Sequence, residues 1–167
     1  MSCRRPLKAT LQLRDRTPDT KDQLTWKWLR GAITAKADFR SPAATDRYDV
    51  CLYATGGLKL AARVPAGGVC AKGKPCWKEV TPGFTYRDND LTPDGVQQLV
   101  LRQGLEAGKA KITLKGKGEL LPMPALGTLT SPVTVQLVNR RTGTCWEAVY
   151  SAPFLEQDDT QFLDRAE

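Results

Sequence analysis

The side chains able to do chemistry here are aspartates, lysines, tryptophans and cysteines, because the 167 residues include no histidine. Histidine is the commonest general base near neutral pH and the commonest metal ligand. Ser-His-Asp and Cys-His machinery therefore cannot be built from this chain alone. Two loops concentrate aspartate: Asp15, Asp19 and Asp22 in one, Asp88, Asp90 and Asp94 in the other. Hard calcium ions take six to eight oxygen ligands from such loops, but neither has the DxDxDG spacing of an EF-hand. Turn chemistry, in which Asp side chains accept from nearby backbone N–H groups, is the leading reading. Structural calcium at Asp15, Asp19 and Asp22 is the alternative, and no other cofactor is expected. A glycosidase needs two carboxyl groups about 5 to 10 Å apart across a cleft. Asp49, Glu79, Glu119 and Glu147 are strand-associated, but nothing in the sequence brings two together, so no catalytic residue is assigned.

Lys109, Lys111, Lys115 and Lys117 share one parity, and in a strand they project from one face, roughly 6 to 7 Å between nearest neighbours. A polyanion could lie along them, although lysines also guard exposed strand edges against unwanted pairing. The stretch has no aromatic residue on which a base could stack, which argues against nucleic-acid reading. Trp26 and Trp28 share a face with Leu24, which points to the core, as does the setting of Trp146. Trp77 follows Cys76 at a loop edge and is the tryptophan expected to be exposed for stacking on a sugar.

The formal net charge is +7, and the distribution is uneven. From Glu156 onward five acidic residues face one arginine, which leaves +11 on residues 1–155. A basic body can meet an anionic polysaccharide, nucleic acid or a lipid surface, or can simply be solvated. Hydrophobic residues make up 41% of the chain, and no apolar run approaches the ~20 residues of a membrane-spanning helix.

Among the 5 cysteines there is no CxxC pair. Cys70 and Cys76 flank the short loop AKGKP, while Cys51 and Cys145 each fall on an expected strand. Setting Cys3 aside, four cysteines allow three connectivities. The pairing expected is Cys70–Cys76 and Cys51–Cys145, with fully reduced, buried cysteines as the rival. Disulfides imply an oxidising compartment. No signal-peptide h-region follows the basic start at Arg4 and Arg5.

These residues must be positioned by strands. In VTVQLVN (133–139), Val133, Val135 and Leu137 alternate with Thr134, Gln136 and Val138, and after RRTGT the run CWEAVY (145–150) resumes the period of two. Residues 7–14, 24–31, 48–53, 58–64 and 110–117 carry similar runs, 96–102 a strand of weaker alternation, as expected of one covered on both faces, and 77–80 and 84–87 shorter ones. Gly, Pro and Asp turns separate them. About ten short strands at 8 to 12 residue spacing predict an all-β antiparallel sandwich, jelly-roll or Ig-like. Residues 1–6 read as a disordered leader or the remnant of a preceding segment, 7–154 as the sandwich, and 155–167 as an acidic tail able to form a short helix.

The stretches KDQLTWKWLRG, RYDVCLYATGG, ARVPAGGVCAKGKPCWK, SPVTVQLVNRRTGTCWEAVYSAPF and DDTQFLDRA resemble an uncharacterised β-rich module. It occurs in secreted proteins of Gram-negative soil and environmental bacteria, often at the end of a longer chain. The resemblance runs from about Leu11 to the C-terminus. It implies an exported, disulfide-bearing domain and transfers no catalytic residues. The function expected is a secreted or cell-surface binding or structural module without catalysis, for a polysaccharide or a protein partner. It is not expected to read nucleic-acid sequence. The alternatives are a subunit that self-associates through edge strands or its tail, and a carboxylate-dependent hydrolase.

Overall fold

A computed structural model describes residues 2–167. Half of the chain is strand, and the described residues contain no α-helix, only short 3-10 turns. In chain order the strands are β1 (Pro6–Arg14), β2 (Gln23–Gly31), β3 (Tyr48–Ala54), β4 (Gly57–Val64), β5 (Trp77–Val80) and β6 (Gly83–Arg87). They continue as β7 (Val96–Arg102), β8 (Ala110–Lys117), β9 (Val133–Asn139), β10 (Cys145–Tyr150), β11 (Glu156–Gln157) and β12 (Gln161–Ala166). Two antiparallel sheets form a β-sandwich. The larger has 8 strands in the order β11-β12-β1-β2-β8-β7-β6-β5, and the smaller has 4 in the order β10-β9-β3-β4.

Local hairpins supply most of the pairing, because each period-two run is followed by turn chemistry and then by another. The joins made over long sequence distance are β2 with β8, β1 with β12, and β3 with β9. The period of two sends one residue in two inward. Leu11, Leu13, Trp26, Trp28, Leu99, Leu101, Ile112 and Leu114 from the large sheet are buried with Val50, Leu52, Val135, Leu137, Trp146 and Tyr150 from the small one. Two indoles tie the layers with polar bonds: Trp26 Nε1 donates to the Tyr150 hydroxyl at 3.1 Å, and Trp28 Nε1 donates to the Glu147 carbonyl at 3.0 Å. The Trp28 ring lies over Gly31, where a Cβ would have no room, and the β2–β8 register shifts between these two residues. A glycine is required there because the bulge and the indole occupy the same space.

Both chain ends differ from expectation. Of the leader expected at 1–6, Met1 lies outside the described residues, and the rest is tied down: Cys3 is disulfide-bonded to Cys145, Arg4 N–H donates to the Cys145 carbonyl, and Glu147 N–H donates to the Arg4 carbonyl. This parallel bridge covers the free edge of β10. The acidic tail forms β11 and β12 rather than a helix, and β12 pairs with β1 from Ala9 to Arg14. Alternation decides the matter, since Phe162 and Asp164 are buried while Leu163 and Arg165 face outward. The Asp158 carboxylate accepts from Thr160 N–H and Gln161 N–H and so shapes the turn between the two strands.

The disulfides are Cys70–Cys76, as expected, and Cys3–Cys145, while Cys51 is a buried free thiol. The expected Cys51–Cys145 bond is wrong for a geometric reason. Cys51 lies on β3 and Cys145 on β10, with β9 between them. Two strand spacings are about 10 Å, beyond the ~7 Å between Cα atoms that a disulfide can span. Burial pushes the Cys51 thiol pKa up, which disfavours the reactive thiolate.

Candidate polyanion-binding face

The outward surface of the large sheet follows from strand parity and register. On β8, Lys111, Lys115 and Lys117 are exposed while Ile112, Leu114 and Gly116 are buried. Lys109 is exposed just before the strand. β8 is not an edge strand: it pairs with β2 on one side and β7 on the other. Its lysines therefore have no edge to guard and sit at the middle of a broad surface. Register extends that surface. Lys27 of β2 pairs with Thr113, Arg102 of β7 pairs with Lys111, and Arg87 of β6 pairs with Gln98. On the other side, Lys8 and Arg14 of β1 and Arg165 of β12 fall on the same outward parity.

The residues between these cations are neutral: Thr10, Gln12, Gln23, Thr25, Gln98, Val100, Thr113 and Leu163. Among the described residues of β12, β1, β2, β8, β7 and β6, Asp164 is the single carboxylate, and it is buried opposite Leu11 on the inward face. None of these outward cations takes part in an ion pair among the described residues; the salt bridges lie elsewhere. From strand spacing and rise, the field covers roughly 24 Å across the strands by 20 Å along them. Lys111 and Arg102 are direct cross-strand neighbours, an arrangement that is locally destabilising. The outer face of the small sheet is different in kind. There the carboxylates are paired with cations: Asp49 meets Arg47 and Arg140, and Glu147 meets Arg5.

All four tryptophans are buried, Trp77 at 3% exposure included. The expectation that Trp77 stacks on a ligand is corrected by its packing: its Nε1 donates to the Pro65 carbonyl, and its ring lies against Tyr86 and Tyr48. The outward face of the large sheet carries no aromatic side chain among the residues described above.

The β1–β2 connection gathers Asp15, Asp19 and Asp22, with ligand oxygens all within 4.8 Å of one another. The Asp22 carboxylate accepts from Arg16 N–H at 2.7 Å, which is turn chemistry. Burial, and behind it the charges of Asp15 and Asp19, holds the Asp22 pKa above the usual carboxylate range. Three oxygen donors fit a calcium ion in kind, but nothing else in the loop points to one. In the second loop the buried Asp88 accepts from Asp90 N–H, Thr92 N–H and the Thr92 hydroxyl, and Asp94 accepts from Arg63 N–H. A recess of about 380 Å³ includes Asp88 and Asp90, but those bonds already commit Asp88 to the turn. Of the strand-associated carboxylates, Asp49, Glu79 and Glu147 are each engaged by a different cation or cations, and Glu119 is exposed.

The lysines of β8 are legible in the sequence as a stripe. Arg102, Lys27, Lys8 and Arg165 carry no sequence signal that associates them with it, because strand order is needed to see them as one surface. Comparison with protein-family models, with curated proteins and with solved structures found no match.

Proposed function

We propose that this protein is a non-catalytic binding module acting outside the cytoplasm, and that the outer face of its large sheet binds an anionic polysaccharide. The observation that carries this reading is an open field of cations, centred on Lys27, Arg102, Lys111 and Lys115, with no carboxylate among them.

An open, unpaired cationic surface attracts anionic polymers and raises their local concentration. The direct juxtaposition of Lys111 and Arg102 costs stability in the free protein, and an anion bound between them would offset it. Because no aromatic platform accompanies the cations, charge recognition is favoured over ring stacking, and hence an anionic glycan over single-stranded nucleic acid. Sheet twist favours a flexible chain. At 20 to 25° per strand, six adjacent strands turn through roughly 100 to 125°, so a flat lipid surface or a stiff duplex would meet only part of the field. The two disulfides fit an oxidising, extracellular setting. Self-association through strand edges has less support. The β10 edge is covered by the segment at Arg4, Asp94 takes Arg63 N–H on β4, and β11 and β5 are only 2 and 4 residues long.

The test is titration with dextran sulfate and with neutral dextran of equal length, followed by calorimetry. Binding of the sulfated polymer alone, weakening steeply with salt, is expected. Equal affinity for both polymers, or affinity for neither, would overturn the reading.

A further inference from the structure

Beside the basic face, the loop closed by Cys70–Cys76 borders a recess of about 300 Å³. Its polar lining comes from Lys72, Lys74, Arg87 and Asn89, with no carboxylate among the lining residues. Lys and Arg side chains only donate hydrogen bonds. The Asn89 side-chain oxygen accepts from Gln97 Nε2 at 3.1 Å, and its amide N–H groups can donate to another partner. The lining is mostly carbon, with Cys70, Ala71 and Pro75 in it, and its polar part offers donors and positive charge together, the complement of an oxyanion carried on a sugar ring.

The loop is also held in a conformation that its sequence does not favour. Lys72 has φ 60°, a left-handed conformation that L side chains seldom adopt and glycine adopts freely. The disulfide, the bond from Cys70 N–H to the Lys74 carbonyl and the bond from Arg87 N–H to the Cys76 carbonyl fix the loop against β6. A lysine kept where a glycine would be at ease points to use of its side chain, since such strain concentrates at binding sites. Arg87 belongs both to this recess and to the outward face of the large sheet, so the two surfaces are continuous.

We propose that this recess is a discrete anion subsite that seats one sulfate or carboxylate substituent of a sugar, held by Lys72, Lys74, Arg87 and Asn89. The proposal rests on the polyanion reading above. It adds that a single charged sugar binds here without the rest of the polymer.

The probes are N-acetylglucosamine 6-sulfate, glucuronic acid and unmodified N-acetylglucosamine, titrated into the full chain and followed by amide chemical shifts. The variants are K72G, which removes the charge and suits the backbone, K74Q, and K27Q on the open face away from the recess. The expected result is saturable shifts at residues 70–76, 87 and 89 with at least one charged sugar and none with the neutral one. K72G and K74Q should each weaken that binding at least fivefold, with K27Q leaving it within twofold. Response to the sulfated but not the uronate sugar, or the reverse, identifies which oxyanion the subsite takes and supports it. Dextran sulfate binding without any charged monosaccharide response at the recess would overturn the subsite and leave the polyanion reading standing. Failure of dextran sulfate to bind would remove that reading, and the subsite as a part of it. Equal weakening by K27Q and K72G would show general attraction in place of a subsite and would also overturn it.

Discussion

Replacing Lys27, Lys111 and Lys115 together by glutamine should stabilise the free protein while weakening its hold on a polyanion. Register places Lys27 opposite Thr113, midway between Lys111 and Lys115. Strand geometry then sets Lys27 at about 8 Å from each of them, and Lys111 at about 5 Å from Arg102. In water the Coulomb repulsion is about 0.5 kcal/mol for each 8 Å pair and about 0.8 kcal/mol for the 5 Å pair. Screening at physiological salt, with a Debye length near 8 Å, brings the total to about 1 kcal/mol. For a domain of this size that corresponds to a rise in Tm of about 2 to 4 °C. The rise should grow as salt is lowered, because screening is what limits it. The same variant loses three potential contacts with a polyanion, so the slope of log K against log salt should flatten by about 2. Thermal denaturation over a salt series, paired with dextran sulfate titrations, measures both. A lower Tm together with unchanged affinity would mean that the lysines serve packing rather than binding.

Other outcomes follow from single features of the fold. Asp22→Asn keeps the acceptor for Arg16 N–H but removes a charge whose pKa is raised by burial and by Asp15 and Asp19. A raised pKa means that the folded state binds the proton more tightly. Stability is therefore lost as pH rises through the folded value, and the variant should melt higher than wild type at pH 7, with the gap closing in acid. A lower Tm at pH 7 would contradict this, and a rise in wild-type Tm on adding calcium that the variant lacks would reveal an ion at the cluster. Cys3→Ser should destabilise much more than Cys51→Ser. A bond spanning 142 residues is worth about 5 kcal/mol in the chain-entropy model, whereas Cys51 is free; similar denaturation midpoints for the two variants would count against the assigned pairing. Because Trp77 is buried, dextran sulfate should leave tryptophan emission nearly unchanged, and strong quenching would place a tryptophan in the site after all.

The strands are legible in the sequence because each is a half-buried surface written with a period of two. The runs at 7–14, 110–117 and 133–139 could hardly form anything else. The tail misleads because its acidic content masks the alternation of Phe162 and Asp164 with Leu163 and Arg165, which is a strand signal of the same kind. The disulfide error has another source. Cys51 and Cys145 both sit on strands, but only the sheet order, with β9 between β3 and β10, shows that they lie too far apart. Cys3 finds its partner only through the pairing of the first residues with β10. The cationic face is half legible for the same reason. Parity within one strand shows the lysines of β8, whereas their association with Lys27 and Arg102 depends on contacts between distant strands. Trp77 misleads because a loop-edge position in sequence does not reveal that Tyr48 and Tyr86 close over the ring.

Amide chemical shifts of the labelled protein can map where a short dextran sulfate oligomer lands on the two sheets. Perturbations concentrated on the outward residues of β2, β8 and β7, around Lys27, Lys111, Lys115 and Arg102, are the expected result. Shifts gathered instead around Arg47, Asp49 and Arg140 on the small sheet would contradict it.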